Sequence, residues 1–319
     1  MHDLITHLGQ HTVDGLAKGA IYALIALGYT LVYGVLKLIN FAHSEIFMVG
    51  TWAVLGSWTL LNAHDAPSLP LTILYIVVGL IAGAVASGGV ALLTERIAYR
   101  PLRKKNAPAL IFLITAIGVS TVLQEIFGVV LYKFFGPPFG RLIVGEPNVL
   151  PDKTWLKVGN TEITNKHVVV IVAAILMMVA LDFYVNKTRA GRGVRAVAQS
   201  PDNAALMGVN QDRVIMLVFV IGGVMAGAAA LLFSLQIGNT KFDIGFIPGL
   251  KAFSAAVLGG IGNLRGALLG GLLLGIVENY AATVTSSSWE DVAAFVVLVL
   301  VLMFRPTGLL GESLGRSRA

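Results

Sequence analysis

The residues of this chain that can do chemistry stand out because they interrupt apolar sequence. Asn40, His43, Ser44 and Glu45 fall together in a stretch that otherwise runs almost continuously apolar. Lys18, Glu45, Glu125, Asp182, Lys251 and Glu278 lie inside or at the ends of such stretches. An ionisable side chain in that setting is costly, and it faces protein or a water-filled cavity where it can pair, relay or gate. By depth, Asp182, Glu45 and Lys251 lie near expected helix ends, where they snorkel or cap, whereas Glu125 and Glu278 lie deeper. Glu278 reads either as a hydrogen-bonded link between helices or as part of a gate or path. The cluster from 40 to 45 has two readings as well. Asn40 caps the start of a second helix, or the cluster lines the inner mouth of a pathway.

Other chemistries find no support. His43 and Glu45, two apart on a helix, diverge, and no third ligand clusters nearby, so no metal site is expected. The six histidines are scattered, three of them within the first eleven residues as a solvated terminus, and no Ser/His/Asp grouping can be assembled, so no catalytic residue is expected. The absence of cysteine excludes disulfides and thiolate sites.

These residues need elements to hold them, and composition says which kind. Of 319 residues, 56% are hydrophobic and 13% charged, with a mean hydropathy of +0.81. A soluble domain carries about 25% charged residues, so the bilayer is the natural solvent for this chain and soluble enzymes are excluded. Nine apolar runs approach the roughly 20 helical residues that cross the hydrocarbon: 13–35, 41–61, 70–94, 108–131, 168–185, 214–236, 249–263, 266–284 and 292–304. The seventh and ninth are short enough to be tilted, re-entrant or broken. The start lacks a basic n-region, so the first run is retained as a span. The fold class expected is an all-α polytopic membrane protein, a single domain over 1–319 with 8–10 transmembrane or re-entrant helices.

The net charge of +6 is a record of topology. If the segment after 95 is cytoplasmic, fifteen of the 23 Lys and Arg residues fall inside and six outside, with Lys18 and Lys251 within apolar runs. That places the N-terminus outside and the C-terminus inside. Residues 132–167, with four prolines and alternating runs such as Trp155-Leu156-Lys157-Val158, form a small external subdomain of hairpin character. Rows of small residues, Gly79, Gly83 and Ser87 or Gly222, Ala226 and Ala230, let helices pack closely.

The longest inside loop, 186–213, carries a helix signature. Ser200 is placed to cap it, Pro201 suits its first turn and Asp202, before Asn203, complements the dipole; Ala204 to Met207 continue it and Gly208 ends it before Val209 and Asn210. It offers Ala204, Ala205, Leu206 and Met207 to a partner that grips it, or lies on the headgroups.

This loop also carries a resemblance. The run from Gln199 to Asn210 resembles the coupling loop of ABC importer permeases. The run from Leu38 to Glu45 and the run from Lys251 to Asn263, followed by Gly266, Gly270 and Gly271, sharpen it: together they look like the LivH-type permease of the branched-chain amino-acid importers, over roughly 15–311. Two positions depart from the family pattern, Ser44 for the usual Gly and Asn203 for the usual Glu. The resemblance implies a bacterial inner-membrane transport subunit, not an enzyme. It implies an extracytoplasmic binding protein, a second related permease and two ATPase subunits that bind ATP and Mg, with Ser200 to Asn210 as the ATPase-coupling segment. Independently, the chain has no phosphate-binding loop of the Gly-x-x-x-x-Gly-Lys-Ser/Thr type. The Gly260 to Gly266 run superficially suggests nucleotide binding, but lies between apolar helices and reads as a tight turn. The alternatives are a urea or short-amide importer, or a gradient-driven carrier or channel. Nucleic acid is not expected as a partner.

Overall fold

A chain surrounded by lipid must satisfy every backbone N–H and C=O internally, and the helix does this within one segment. The computed structural model describes residues 7–136, 141–286, 289–305 and 307–311, and nine apolar helices account for most of them. They are α1 (Leu8–Leu36), α2 (His43–Leu60), α3 (Leu69–Thr94), α5 (Ala109–Phe135), α6 (Asn165–Lys187), α9 (Gln211–Ile237), α10 (Phe246–Gly259), α11 (Leu264–Val284) and α12 (Glu290–Phe304). Each coincides with one of the nine expected runs. Short helices fill the links: α4 (Arg100–Lys104), α7 (Arg189–Gln199) and α8 (Pro201–Leu206). Among the described residues six segments are long and apolar enough to cross a membrane; α2, α10 and α12 are the shorter helices. Arg316 and Arg318, counted among the inside charges, lie outside the described residues.

Between α3 and α4 the helix widens for one turn. The N–H of Arg100 donates to the carbonyl of Glu95, five residues back, which defines a π-turn over Glu95–Tyr99.

Helix α1 is the axis of the bundle. It is buried along most of its length, whereas α3, α5 and α6 each leave a broad apolar face outward for lipid. Small residues let backbones touch. A Cβ on Gly19 would lie 2.6 Å from the carbonyl oxygen of Gly271 and 2.8 Å from Cα of Leu272, so α1 and α11 have no room for a side chain there. The row Gly79, Gly83, Ser87 is likewise buried, with Gly83 against Gly227 of α9 and Ser87 Oγ donating to the carbonyl of Ile46 on α2 at 2.8 Å.

Successive helices alternate in direction between two ends. One end carries the antiparallel pair β2 (Thr154–Val158) and β3 (Thr161–Thr164), within 132–167. Here the Glu162 N–H donates to Gln10 of α1 at 2.8 Å, and Thr283 of α11 meets His11. A second small pair, β1 (Val144–Gly145) with β4 (Asn239–Thr240), ties the same region to the end of α9. The opposite end carries 186–213. Thr188 caps α7 by accepting from Gly191 N–H at 3.0 Å, and Gly191, Val194 and Val197 face inward while the arginines face out. Sequence inspection missed α7, although its apolar spacing of three is visible.

Candidate functional site

The break between α1 and α2 builds the most polar buried site. Lys37 takes a left-handed conformation (φ 55°) and ends α1, and the chain then folds back along it. His43, the first residue of α2, is 1% exposed and stacks edge-on against Tyr29 at 4.7 Å. A Cβ on Gly28 would run into its ring, so His43 sits level with Gly28, eight residues before α1 ends. That is roughly 12 Å of helix rise, so α2 begins inside the bundle.

Asn40 does not cap α2, contrary to one expectation. The cap position is Ala42, without a side-chain bond, and the Asn40 Oδ1 instead accepts from the Tyr99 hydroxyl at 2.9 Å. Glu45 is fully buried. Its Oε1 accepts from Gln124 Nε2 at 2.8 Å and lies 3.3 Å from the hydroxyls of Ser44 and Ser120, while Oε2 has no partner among the described residues. Ser44 carries one hydroxyl hydrogen, and the shorter contact, 2.7 Å to the Phe41 carbonyl, takes it. Beside this group a cavity of about 100 Å³ has an apolar wall of Phe41, Ile117, Phe246 and Leu250 and a polar side of Ser44, Ser120, Thr121 and Gln124, with Tyr29. An orphaned carboxylate oxygen at such a place is expensive unless something polar visits it.

Glu278 belongs to a second cluster. Its Oε1 lies 2.5 Å from Lys251 Nζ and 3.6 Å from Lys18 Nζ, and accepts from the Tyr22 hydroxyl at 3.0 Å. Lys251 also meets Asp291 at 2.6 Å, and Lys18 pairs with Glu290. One cluster thus joins α1, α10, α11 and α12. Lys251, expected to snorkel, is 5% exposed and fully enlisted here.

Glu125 is the residue the structure moves furthest from expectation. It lies on the outer face of α5, half exposed, in an ion pair with Arg141 at 2.7 Å, and joins neither cluster. An exposed face next to a basic segment satisfies it without burial. Asp182 pairs with Arg265 at 3.3 Å near the turn between α10 and α11.

At the end carrying 186–213, Ser200 caps α8, accepting from the Asn203 N–H at 3.4 Å, with Pro201 at the first position and Asp202 in the first turn. Gly208 (φ 80°) ends the helix and Asn210 caps α9. Leu206 and Met207 are 84% and 85% exposed, and Ala205 is exposed beside them. Ala204 points the other way. It is buried, so it anchors α8 and is not offered outward as expected.

Outside the helices, burial pushes the Glu146 carboxyl up to about 7, and the nearby Ser234 hydroxyl only partly offsets this.

Residues 11–302 match the family described as branched-chain amino acid transport system, permease component. The chain belongs to this family. It is 41% identical to the high-affinity branched-chain amino acid transport system permease protein BraD of Pseudomonas aeruginosa, covering 97% of each chain. It is 38% identical to the LivH proteins of Salmonella typhimurium and Escherichia coli (strain K12), covering 98% of each. The three motifs that carried the resemblance all lie within the matched span. The permease is accordingly a multi-pass membrane transport subunit.

Three partners of the permease's Asn40–Glu45 break, Ser120 and Gln124 on Glu45 and Tyr99 on Asn40, gave no motif in the sequence. Ser120 and Gln124 were legible as a polar pair four apart on apolar α5, which places them on one face. Tyr99 had no such signal, because its inward direction depends on the π-turn.

Proposed function

We propose that this permease carries leucine, isoleucine, valine or related amino acids across the bacterial inner membrane, as one transmembrane subunit of an ATP-driven importer. The observation that carries the reading is the 41% identity to BraD across 97% of the chain. The N-terminus lies outside, together with 132–167, which receives solute from an extracytoplasmic binding protein; the basic end lies in the cytoplasm. A second related permease completes the transmembrane pair, and two ATPase subunits bind ATP and Mg.

The segment Ser200 to Asn210 docks on an ATPase. In favour of this, Leu206 and Met207 project from a helix capped at both ends, an arrangement that costs exposed apolar area unless a partner covers it. Closure of the ATPases rocks the attached helices and opens the path alternately to each side. Asn40, His43, Ser44 and Glu45 border that path, with the cavity beside Glu45 as its narrow part. The cluster around Glu278 holds α1, α10, α11 and α12 as one body.

Substrate choice is tested on the binding protein, by measuring its affinity for Leu, Ile, Val, other amino acids and urea. Preference for the branched-chain set is expected; preference for urea would transfer the permease to an amide importer. Docking is tested by Ala205→Arg, which is expected to insert normally yet hydrolyse ATP without transport.

A further inference from the structure

Between helix α8 and the α1–α2 break runs a series of polar contacts joined by two short stretches of backbone, Gln211–Asp212 and Glu95–Tyr99. Gln211 Nε2 donates to the carbonyl of Pro201 at 2.6 Å, strapping α8 to the first turn of α9. The next residue, Asp212, meets Arg103 at 2.6 Å and Arg100 at 3.0 Å. Arg103 also meets Glu95 at 2.9 Å, and Glu95 is 1% exposed. Glu95 opens the π-turn, and Tyr99 closes it. The Tyr99 ring is wedged against Phe219 of α9 at 5.1 Å and Phe112 of α5 at 5.8 Å, and its hydroxyl holds Asn40. The carbonyl of Asn40 accepts from His43 N–H at 3.1 Å, where α2 begins, two residues before Glu45.

We infer that Arg103, Asp212 and Tyr99 are positioning residues that carry movement of the 200–210 segment, through the π-turn Glu95–Tyr99, to the Asn40–Glu45 break. The inference rests on the reading of 200–210 as the ATPase-docking segment and extends it to residues that no motif marked.

Two physical points support it. First, the chain of contacts does not stretch. A buried carboxylate such as Glu95 cannot leave its arginine without becoming an unpaired buried charge, so Glu95 and Arg103 move together, and Asp212 is held to the same guanidinium. Second, coupling over a distance is carried by an element that can switch between arrangements, and Glu95–Tyr99 is a single π-turn set in α-helix, whose alternative is the regular α-turn. Relaxing it to α-helix removes one residue from the turn and rotates Tyr99 by about 100° around the axis, the angle per residue of an α-helix. That rotation takes the hydroxyl away from Asn40 and frees the break. Single π-turns inside α-helices occur frequently at functional sites.

The test uses the assembled importer in proteoliposomes, with binding protein and ATPases, and reads the number of solute molecules imported per ATP hydrolysed. Tyr99→Phe removes one oxygen and leaves the packing. It is expected to lower that ratio at least about fivefold, at the small end of ordinary coupling between sites, with ATP hydrolysis retained. Asp212→Asn is expected to do the same, and Asp212→Glu to keep the ratio. A merely structural role lowers uptake and hydrolysis in proportion, so an unchanged ratio in Tyr99→Phe overturns the inference. Should Asp212→Asn fail to assemble, Tyr99→Phe decides alone. Ala205→Arg, run in parallel, separates the two readings. Normal coupling in that variant rejects the docking segment; uncoupling there with an unchanged ratio in Tyr99→Phe rejects only the relay.

Discussion

Lys251 and Glu278 meet at 2.5 Å inside the bundle, each almost fully buried, from helices joined by a short turn. Each is an intramembrane charge that would be prohibitive alone. Together, with Lys18, Tyr22, Glu290 and Asp291 around them, they form a cluster that fixes four helices at the end carrying the β2–β3 hairpin.

Removing one partner leaves the other charge desolvated. Lys251→Met is expected to destabilise the permease by about 3 kcal/mol, at the lower end for such a change because Lys18 remains near Glu278. The double variant Lys251→Met with Glu278→Leu should recover part of the loss, since no charge is then left buried and unpaired, while the Tyr22 hydroxyl and Asp291 lose their partners. Thermal unfolding in detergent reads both. A single variant as stable as the parent would show that the pair is idle.

Close approach of α1 to α11 makes a sharp contrast within one helix. At Gly19 an added Cβ meets backbone atoms of Gly271 and Leu272 that cannot yield, so Gly19→Ala should cost about 1–3 kcal/mol. At Gly34 none of the described residues lies within 4 Å of an added Cβ, so Gly34→Ala should be neutral or gain up to about 1 kcal/mol of helix propensity. Equal unfolding midpoints for the two variants would contradict the packing described.

Glu146 gives the permease a pH dependence with a definite sign. Its folded pKa, about 7, lies above the unfolded value of about 4.3. The folded state therefore holds this proton more tightly. The stability it adds is full below about pH 4.3 and is lost as pH rises through about 7. Glu146→Gln, which keeps a neutral side chain, should flatten the decline of the unfolding midpoint between pH 5 and 8. An identical slope in both proteins would show that Glu146 titrates elsewhere.

Much of this was legible in one dimension. The apolar runs mark nine helices because lipid demands them, and the caps of α8 follow from Ser200, Pro201 and Gly208, whose preferences are local. What escaped depends on contacts between distant segments. Glu125 and Glu278 look alike in sequence, yet one faces outward beside Arg141 and the other is enclosed by two lysines. The π-turn lies in an ordinary helical stretch, so neither Tyr99 nor its bond to Asn40 could be read from spacing. Helix α7 lay hidden behind its arginines, which suggested only a basic loop.

The central claim is that this permease moves amino acid on energy supplied by separate ATPases. It is tested most directly by radiolabelled leucine uptake into proteoliposomes that hold the full importer and its binding protein, with ATP and with an ionophore. The account predicts uptake that requires ATP and survives the ionophore. Uptake by this chain alone, persisting without ATP and collapsing with the ionophore, would contradict it.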